Sequence, residues 1–190
     1  MNSGNSSTGE AGANLSRQWQ GVILVMGVSG CGKSSIASDL AAALRWPFLE
    51  ADSLHPASNI QKMSAGTPLT DQDRQPWLEQ VRDECHRLAF DANGCVVACS
   101  ALKQRYRQTL SGAHENIYTV FLQGSFDVIH SRMSARTGHF MPDSLLKSQF
   151  DALEDPQEEQ GVVTVSIDQN RESIVAEALQ ELESLIQQPG

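Results

Sequence analysis

The segment Gly27-Val28-Ser29-Gly30-Cys31-Gly32-Lys33-Ser34, followed by Ser35, has glycine, lysine and hydroxyl residues spaced as GxxxxGK[ST]. Glycines let backbone N–H groups turn inward without a Cβ in the way, and a helix starting at the end of the loop adds partial positive charge. The chemistry that follows is phosphate binding, with every residue of the loop a candidate nucleotide contact. Lys33 is expected to reach the β and γ phosphates, and the Ser34 hydroxyl to join a Mg²⁺ shell. A regulatory GTPase would carry an Asn-Lys-x-Asp guanine-reading motif, and this chain has none. Phosphoryl transfer from ATP to a small acceptor is the reading that remains. Inside the loop, Cys31 admits two readings. A helix N-terminus and a neighbouring lysine favour the thiolate, whereas a buried cysteine would be an inert filler.

An acceptor needs a carboxylate near the γ-phosphate, to orient a hydroxyl and to take its proton. Asp52 stands at the end of the second predicted strand, where it could do this or cap a helix. Residues 100–140 hold Lys103, Arg105, Arg107, Arg132 and Arg136 against only Glu115 and Asp127, a local charge of +3 in a chain of −9. Solvation accounts for some of these cations, Arg105 among them. An anionic acceptor or the transferring phosphoryl group explains the cluster better.

The elements that must position these groups alternate. Apolar runs at Val22–Val28, Phe48–Asp52, Cys95–Cys99, Tyr118–Leu122 and Val162–Ile167 read as strands. Helical stripes follow at Ile36/Leu40/Leu44, at Trp77/Leu78/Val81/Cys85/Leu88, at Phe126/Ile129/Met133 and at Ile174/Ala178/Leu182/Leu185. The start of the second stripe is ambiguous. Thr70 and Asp73 suit a capping box, but Pro76 would sit inside a helix begun there. This alternation predicts an α/β fold: three layers, with a five-stranded parallel sheet covered by helices on both faces. Two polar stretches, 55–74 and 137–156, break the rhythm and are candidates for a substrate flap and a lid.

The bounds are consistent with one kinase domain over 19–190, preceded by a Ser-, Gly- and Asn-rich flexible tail over 1–18. The net charge of −9 disfavours nucleic acid as a partner, and no apolar run approaches the roughly 18 residues of a membrane span. Cysteines at 31, 85, 95 and 99 form no CxxC pair, so reduced thiols in a cytoplasmic protein are expected rather than zinc.

Several blocks together resemble one family. Asp52-Ser53-Leu54-His55-Pro56, Lys62-Met63, Pro68-Leu69-Thr70-Asp71-Gln72-Asp73-Arg74-Gln75-Pro76-Trp77-Leu78, Cys99-Ser100-Ala101-Leu102-Lys103 with Tyr106-Arg107, Gly138-His139-Phe140, and Gln149-Phe150 with Leu153-Glu154 are similar, in order, to the gluconokinases. The resemblance implies ATP- and Mg²⁺-dependent phosphorylation of D-gluconate at the C6 hydroxyl on a nucleoside-monophosphate-kinase-like fold. A relative acting on another hydroxylated acid, such as shikimate, is the alternative. It implies substrate or phosphoryl contacts at Asp52, Lys62, Arg74, Ser100, Lys103 and Arg107. Arg132 and Arg136 would flank the lid and neutralise the transferring phosphoryl group. His55, His139 and Gln149 are further substrate candidates for which a structural role stands equally open. Ile167, Asp168 and Asn170, after the last strand, would contact adenine. A homodimer is left open. The chain departs from the usual P-loop pattern in its third strand, Val96-Val97-Ala98-Cys99-Ser100, which offers no metal-binding aspartate.

Overall fold

A computed structural model describes residues 4–112, 116–134 and 143–187. Five parallel strands, β1 (Gly21–Met26), β2 (Phe48–Glu50), β3 (Gly94–Ala98), β4 (Ile117–Gln123) and β5 (Val162–Ser166), pair in the order β2-β3-β1-β4-β5. The chain thus winds outward from the central β1 in both directions. The reversal of direction leaves a crevice beyond the carboxyl end of β1, where open α/β sheets bind ligands. The expected architecture is present, with strand ends shifted by one or two residues. Strands β1 and β2 each end two residues early, and β2 gives way at Glu50 to a 3₁₀ turn over Ala51–Leu54 that carries Asp52.

Alternation along β1 divides the core into two layers. Ile23 and Val25 face α2 (Lys33–Leu44) and α8 (Arg171–Ile186), joined there by Ile36, Leu40, Val175 and Leu179. Val22, Leu24 and Met26 face α4 (Asp71–Ala92), meeting Trp77, Leu78 and Val81. The capping box at Thr70 forms: its hydroxyl accepts from the Asp73 N–H, and the Asp73 carboxylate accepts from the Thr70 N–H. Pro76 therefore lies inside α4. It is early enough that one lost intrahelical bond is outweighed by the cap and the buried stripe.

Four helices were not anticipated from the sequence pattern. Helix α3 (Ala57–Ser64) and helix α7 (Asp143–Ala152) lie in the two arrhythmic stretches, and α5 (Gln104–Ser111) follows β3. The fourth, α1 (Gly4–Gln18), corrects the flexible tail. Its Leu15 is buried in the α2/α8 layer, and Gly12 lies so close to Ala43 that a Cβ would sit 2.6 Å from backbone. Burial of a leucine contributes about 1.5–3 kcal/mol, enough to offset the poor helix propensity of a Gly- and Ser-rich segment locally. Just after α1, the Trp19 ring packs 5.5 Å from Trp46 and edge-on, 5.1 Å, to Tyr118. The remaining helix, α6 (Phe126–Ser134), follows β4 and packs against α7.

Candidate active site

The phosphate loop leaves the carboxyl end of β1 and enters α2 at Gly32, which takes φ +100° as the N-cap. Gly30 has φ +83°, and a Cβ there would meet Met133 of α6 at 2.5 Å, so both conformation and space demand glycine. Among the described residues, the N–H groups of Gly30, Gly32, Lys33 and Ser34 have no protein acceptor. Lys33 folds back over the loop and donates from Nζ to the Val28 carbonyl at 3.0 Å. The Ser34 side chain is exposed at the first turn of α2. These free donors, with a lysine and a hydroxyl beside them, fit a nucleotide's phosphates and their magnesium. Ser35 sits one residue further along, and its carbonyl accepts from Arg171. Among the described residues no group of three His, Cys, Asp or Glu side chains could hold a metal unaided.

The structure decides between the two readings of Cys31. Its side chain is 1% exposed, packed in the α2/α8 core layer, and burial pushes the thiol pKa up against the opposing pull of Lys33. Its backbone belongs to the loop, but its sulfur is an inert core atom.

Asp52 does not cap a helix. The N-cap of α3 is Pro56, and the Asp52 side chain is 70% exposed. Its neighbour His55 is 5% exposed and stacks on Trp77, with centroids 4.1 Å apart at 17°. Trp77 in turn donates from Nε1 to the Ala51 carbonyl at 2.8 Å, pinning the turn. The buried Asn59 donates to the Asp73 carbonyl at 2.9 Å and lies 3.4 Å from His55 Nδ1. An amide donor facing Nδ1 leaves the proton on Nε2, which lies 3.8 Å from Asp52 Oδ1. Burial, the largest influence, lowers the His55 pKa, opposed by Asp52 and reinforced by Arg74. His55 is thus a neutral brace beneath Asp52. Burial pushes the Cys99 thiol up to about 12. Lys33 follows β1 and Asp52 follows β2, so both stand beyond the carboxyl edge of the parallel sheet. Ser100 adjoins it, with its carbonyl accepting from the Gly27 N–H at 3.4 Å.

The cations predicted for the acceptor gather around Tyr106. Arg74, Lys103 and Arg105 lie 5.9, 5.7 and 5.3 Å from its ring centroid. The organiser is Asp71, a residue absent from the predicted site. Its carboxylate accepts from Lys103 at 3.0 Å, pairs with Arg105 and accepts from the Tyr106 hydroxyl. Arg105 is therefore part of the cluster and not only solvated. Two residues on, Asp73 takes Lys62 at 2.6 Å, and that bond, with the cap bonds from Thr70, lowers the Asp73 carboxyl to about 2. A position in the first helical turn was the signal for both acids, but it reads equally as dipole compensation.

Arg107 is a correction. It is buried, and all five of its N–H donors are engaged: two by Glu159 at 2.9 and 2.5 Å, the others by the carbonyls of Ala101, Leu102 and Glu154. No donor remains for a substrate. Arg107 instead holds the loop after β3, where Ala101 has φ +44°.

Arg132 donates to the carbonyls of Ile167 and Gln169, tying α6 to the segment after β5. In that segment Asn170 caps α8 by accepting from the Ser173 N–H at 2.9 Å, so its side chain is already occupied. The Asp168 N–H donates to Ser166 Oγ at 3.2 Å. Gln149, a substrate candidate, instead contacts Ser29 of the phosphate loop. Arg136 and His139, with Gly138 and Phe140, lie outside the described residues.

Comparison with known proteins agrees with this geometry. The shikimate kinase family model matches residues 29–183. The thermoresistant gluconokinase of Escherichia coli K12 is 42% identical over 160 residues, covering 84% of this chain and 91% of that one. A probable gluconokinase from Mus musculus is 42% identical, covering 85% and 97%. The crystal structure of a gluconokinase from Sinorhizobium meliloti 1021 superposes with a TM-score of 0.80 at 49% identity, covering 88% and 94%. A shikimate kinase from Aquifex aeolicus, at 19% identity and a TM-score of 0.57, shares the fold.

Proposed function

Because this chain belongs to the gluconokinase family, we infer that it transfers the γ-phosphoryl group of ATP to the C6 hydroxyl of D-gluconate, giving 6-phospho-D-gluconate and ADP. The observation that carries the reading is the pairing of two sites at one sheet edge. A phosphate loop with unclaimed N–H donors stands on β1. Lys103 and Arg105 are held on Asp71, Lys62 is held on Asp73, and Arg74 lies over the Tyr106 ring. An acid with a long hydroxylated tail fits that pairing, its carboxylate among the cations and its distal hydroxyl toward the loop.

The residues divide the work. Loop N–H groups and Lys33 hold the phosphates and oppose the negative charge that develops during transfer. The Ser34 hydroxyl would hold Mg²⁺ together with the phosphates, and the ion would supply charge neutralisation there. Asp52, exposed toward the crevice and braced by His55, orients the attacking hydroxyl and takes its proton. Lys62, Arg74 and Lys103 bind the acid, with Asp73 holding Lys62 and Asp71 holding Lys103 in place. Arg132 and Arg136 stabilise the transferring group, and residues 168–170 lie against adenine, Ile167 being buried in the core. The reading extends to a cytoplasmic enzyme, supported by four free, buried thiols, with no nucleic-acid partner. No helix among the described residues is long and apolar enough to cross a membrane.

A coupled ADP-release assay against gluconate, shikimate, ribose, glycerate and nucleoside monophosphates tests the acceptor. Gluconate should give the highest kcat/KM. Faster turnover of shikimate or a nucleoside monophosphate would overturn the substrate and leave the kinase.

A further inference from the structure

Among the described residues, Ser29 is the one loop residue whose N–H is held by a side chain. Gln149 Oε1 accepts from the Ser29 N–H at 2.7 Å, and Gln149 Nε2 donates to Ser29 Oγ at 2.9 Å. The two residues are 120 positions apart, so the pairing is a tertiary feature and not a local turn. A single carboxamide clamps both polar groups of one residue, a two-point contact that fixes orientation as well as distance. The next four unclaimed amides, at Gly30, Gly32, Lys33 and Ser34, are left for phosphate.

The helix that presents Gln149 is firmly seated. Leu146, one turn earlier on α7, is 1% exposed in the core layer. Phe150 packs 5.6 Å from Phe126 of α6. The other side of the loop tip is covered by α6, whose Met133 and Ile129 fill the space beside Gly30. The Ser29–Gly30 peptide is thus gripped by a polar clamp from α7 and an apolar one from α6. A glycine-rich loop loses much conformational freedom when it wraps a phosphate, and fixing its shape beforehand lowers that cost.

We propose that Gln149 is a positioning residue for the nucleotide rather than a ligand for the acceptor: it sets the phosphate loop through Ser29 and thereby raises ATP affinity. This rests on the kinase reading but not on gluconate as acceptor. Loss of both bonds should weaken nucleotide binding by about tenfold, the effect of two ordinary hydrogen bonds. Acceptor affinity should be untouched.

The test is calorimetric titration with magnesium and a non-hydrolysable ATP analogue, without acceptor, on wild type, Gln149→Met, Ser29→Ala and the double variant. Gluconate KM is measured in parallel at saturating ATP. Gln149→Met should weaken the analogue about tenfold with gluconate KM within twofold of wild type. Ser29→Ala, which keeps the N–H bond, should weaken it less. The double variant should match Gln149→Met alone, since both act through one contact. A raised gluconate KM with unchanged analogue affinity would make Gln149 an acceptor ligand and overturn the proposal. So would unchanged analogue affinity throughout, or additive effects in the double variant. If Gln149→Met does not fold, Ser29→Ala decides, because an unchanged analogue affinity there also overturns it. A wrong acceptor assignment would show separately, as absent turnover of gluconate by wild type, and would leave the titration intact.

Discussion

The imidazole of His55 lies 4.1 Å from the ring of Trp77 and nearly parallel to it, sealed from solvent beneath the exposed carboxylate of Asp52. The stack places a titratable ring where charge is disfavoured, and burial lowers its pKa. A depressed histidine contributes stability that is complete above the unfolded value of about 6.5 and is lost as pH falls through the folded value. Urea midpoints should therefore fall more steeply between pH 7.5 and pH 5 for wild type than for His55→Gln. Parallel curves for the two proteins would mean that His55 does not titrate in this window.

Among the described residues the Lys33 ammonium bonds only to the Val28 carbonyl, so removing it leaves no buried charge among them. Lys33→Ala should keep its unfolding midpoint and lose about 100- to 1,000-fold in kcat. Steady-state kinetics beside a thermal melt checks both halves. A folded variant with normal turnover would separate the loop from the reaction.

Asp52→Asn keeps the shape of the side chain and removes its basicity. If Asp52 takes the hydroxyl proton, kcat should fall about 100- to 10,000-fold with little change in ATP KM. A rise confined to gluconate KM would make it a binding residue.

Asp71 collects Lys103, Arg105 and the Tyr106 hydroxyl on one carboxylate. Asp71→Asn should leave those cations without a common anchor, raise gluconate KM roughly tenfold and spare ATP KM, on the scale of one lost charge-assisted contact. Kinetics with each substrate varied in turn separates the two. Equal rises in both would point to a general loosening of α4.

All four cysteines are buried. Iodoacetamide should label the native protein hardly at all and four thiols per chain in urea, counted by intact mass. Inactivation should not depend on MgATP, because the Cys31 sulfur faces the core and not the phosphates. Protection by MgATP would place a reactive thiol in the site.

The parts of the fold that could be read from the sequence were those written in local periodicity. The runs at Val22–Val28 and Val162–Ile167 and the Ile36/Leu40/Leu44 stripe became β1, β5 and α2 because their burial pattern is their sequence pattern. Helix α1 was illegible for the opposite reason. Its glycines and serines signal disorder, and tertiary contacts hold it, among them the close approach of Gly12 to Ala43, the burial of Leu15 and the bond from Asn14 to Glu183. The same divide runs through the site. The phosphate loop is contiguous and was found whole. Asp71 was missed and Arg107 assigned to substrate because a charge count cannot say which acid a cation will meet. Arg107 meets Glu159, across 52 residues, and Gln149 meets Ser29 across 120.

The placement of the three tryptophans has an optical consequence. Trp19 and Trp46 sit together on the side of α1, whereas Trp77 alone lies under the acceptor cluster, in contact with His55. A variant with phenylalanine at positions 19 and 46 would carry Trp77 as its single indole. Protonated imidazole quenches indole emission more strongly than neutral imidazole does. The emission of Trp77 would thus report the charge on its stacked neighbour, and occupancy of the crevice above it could be followed in real time without a label.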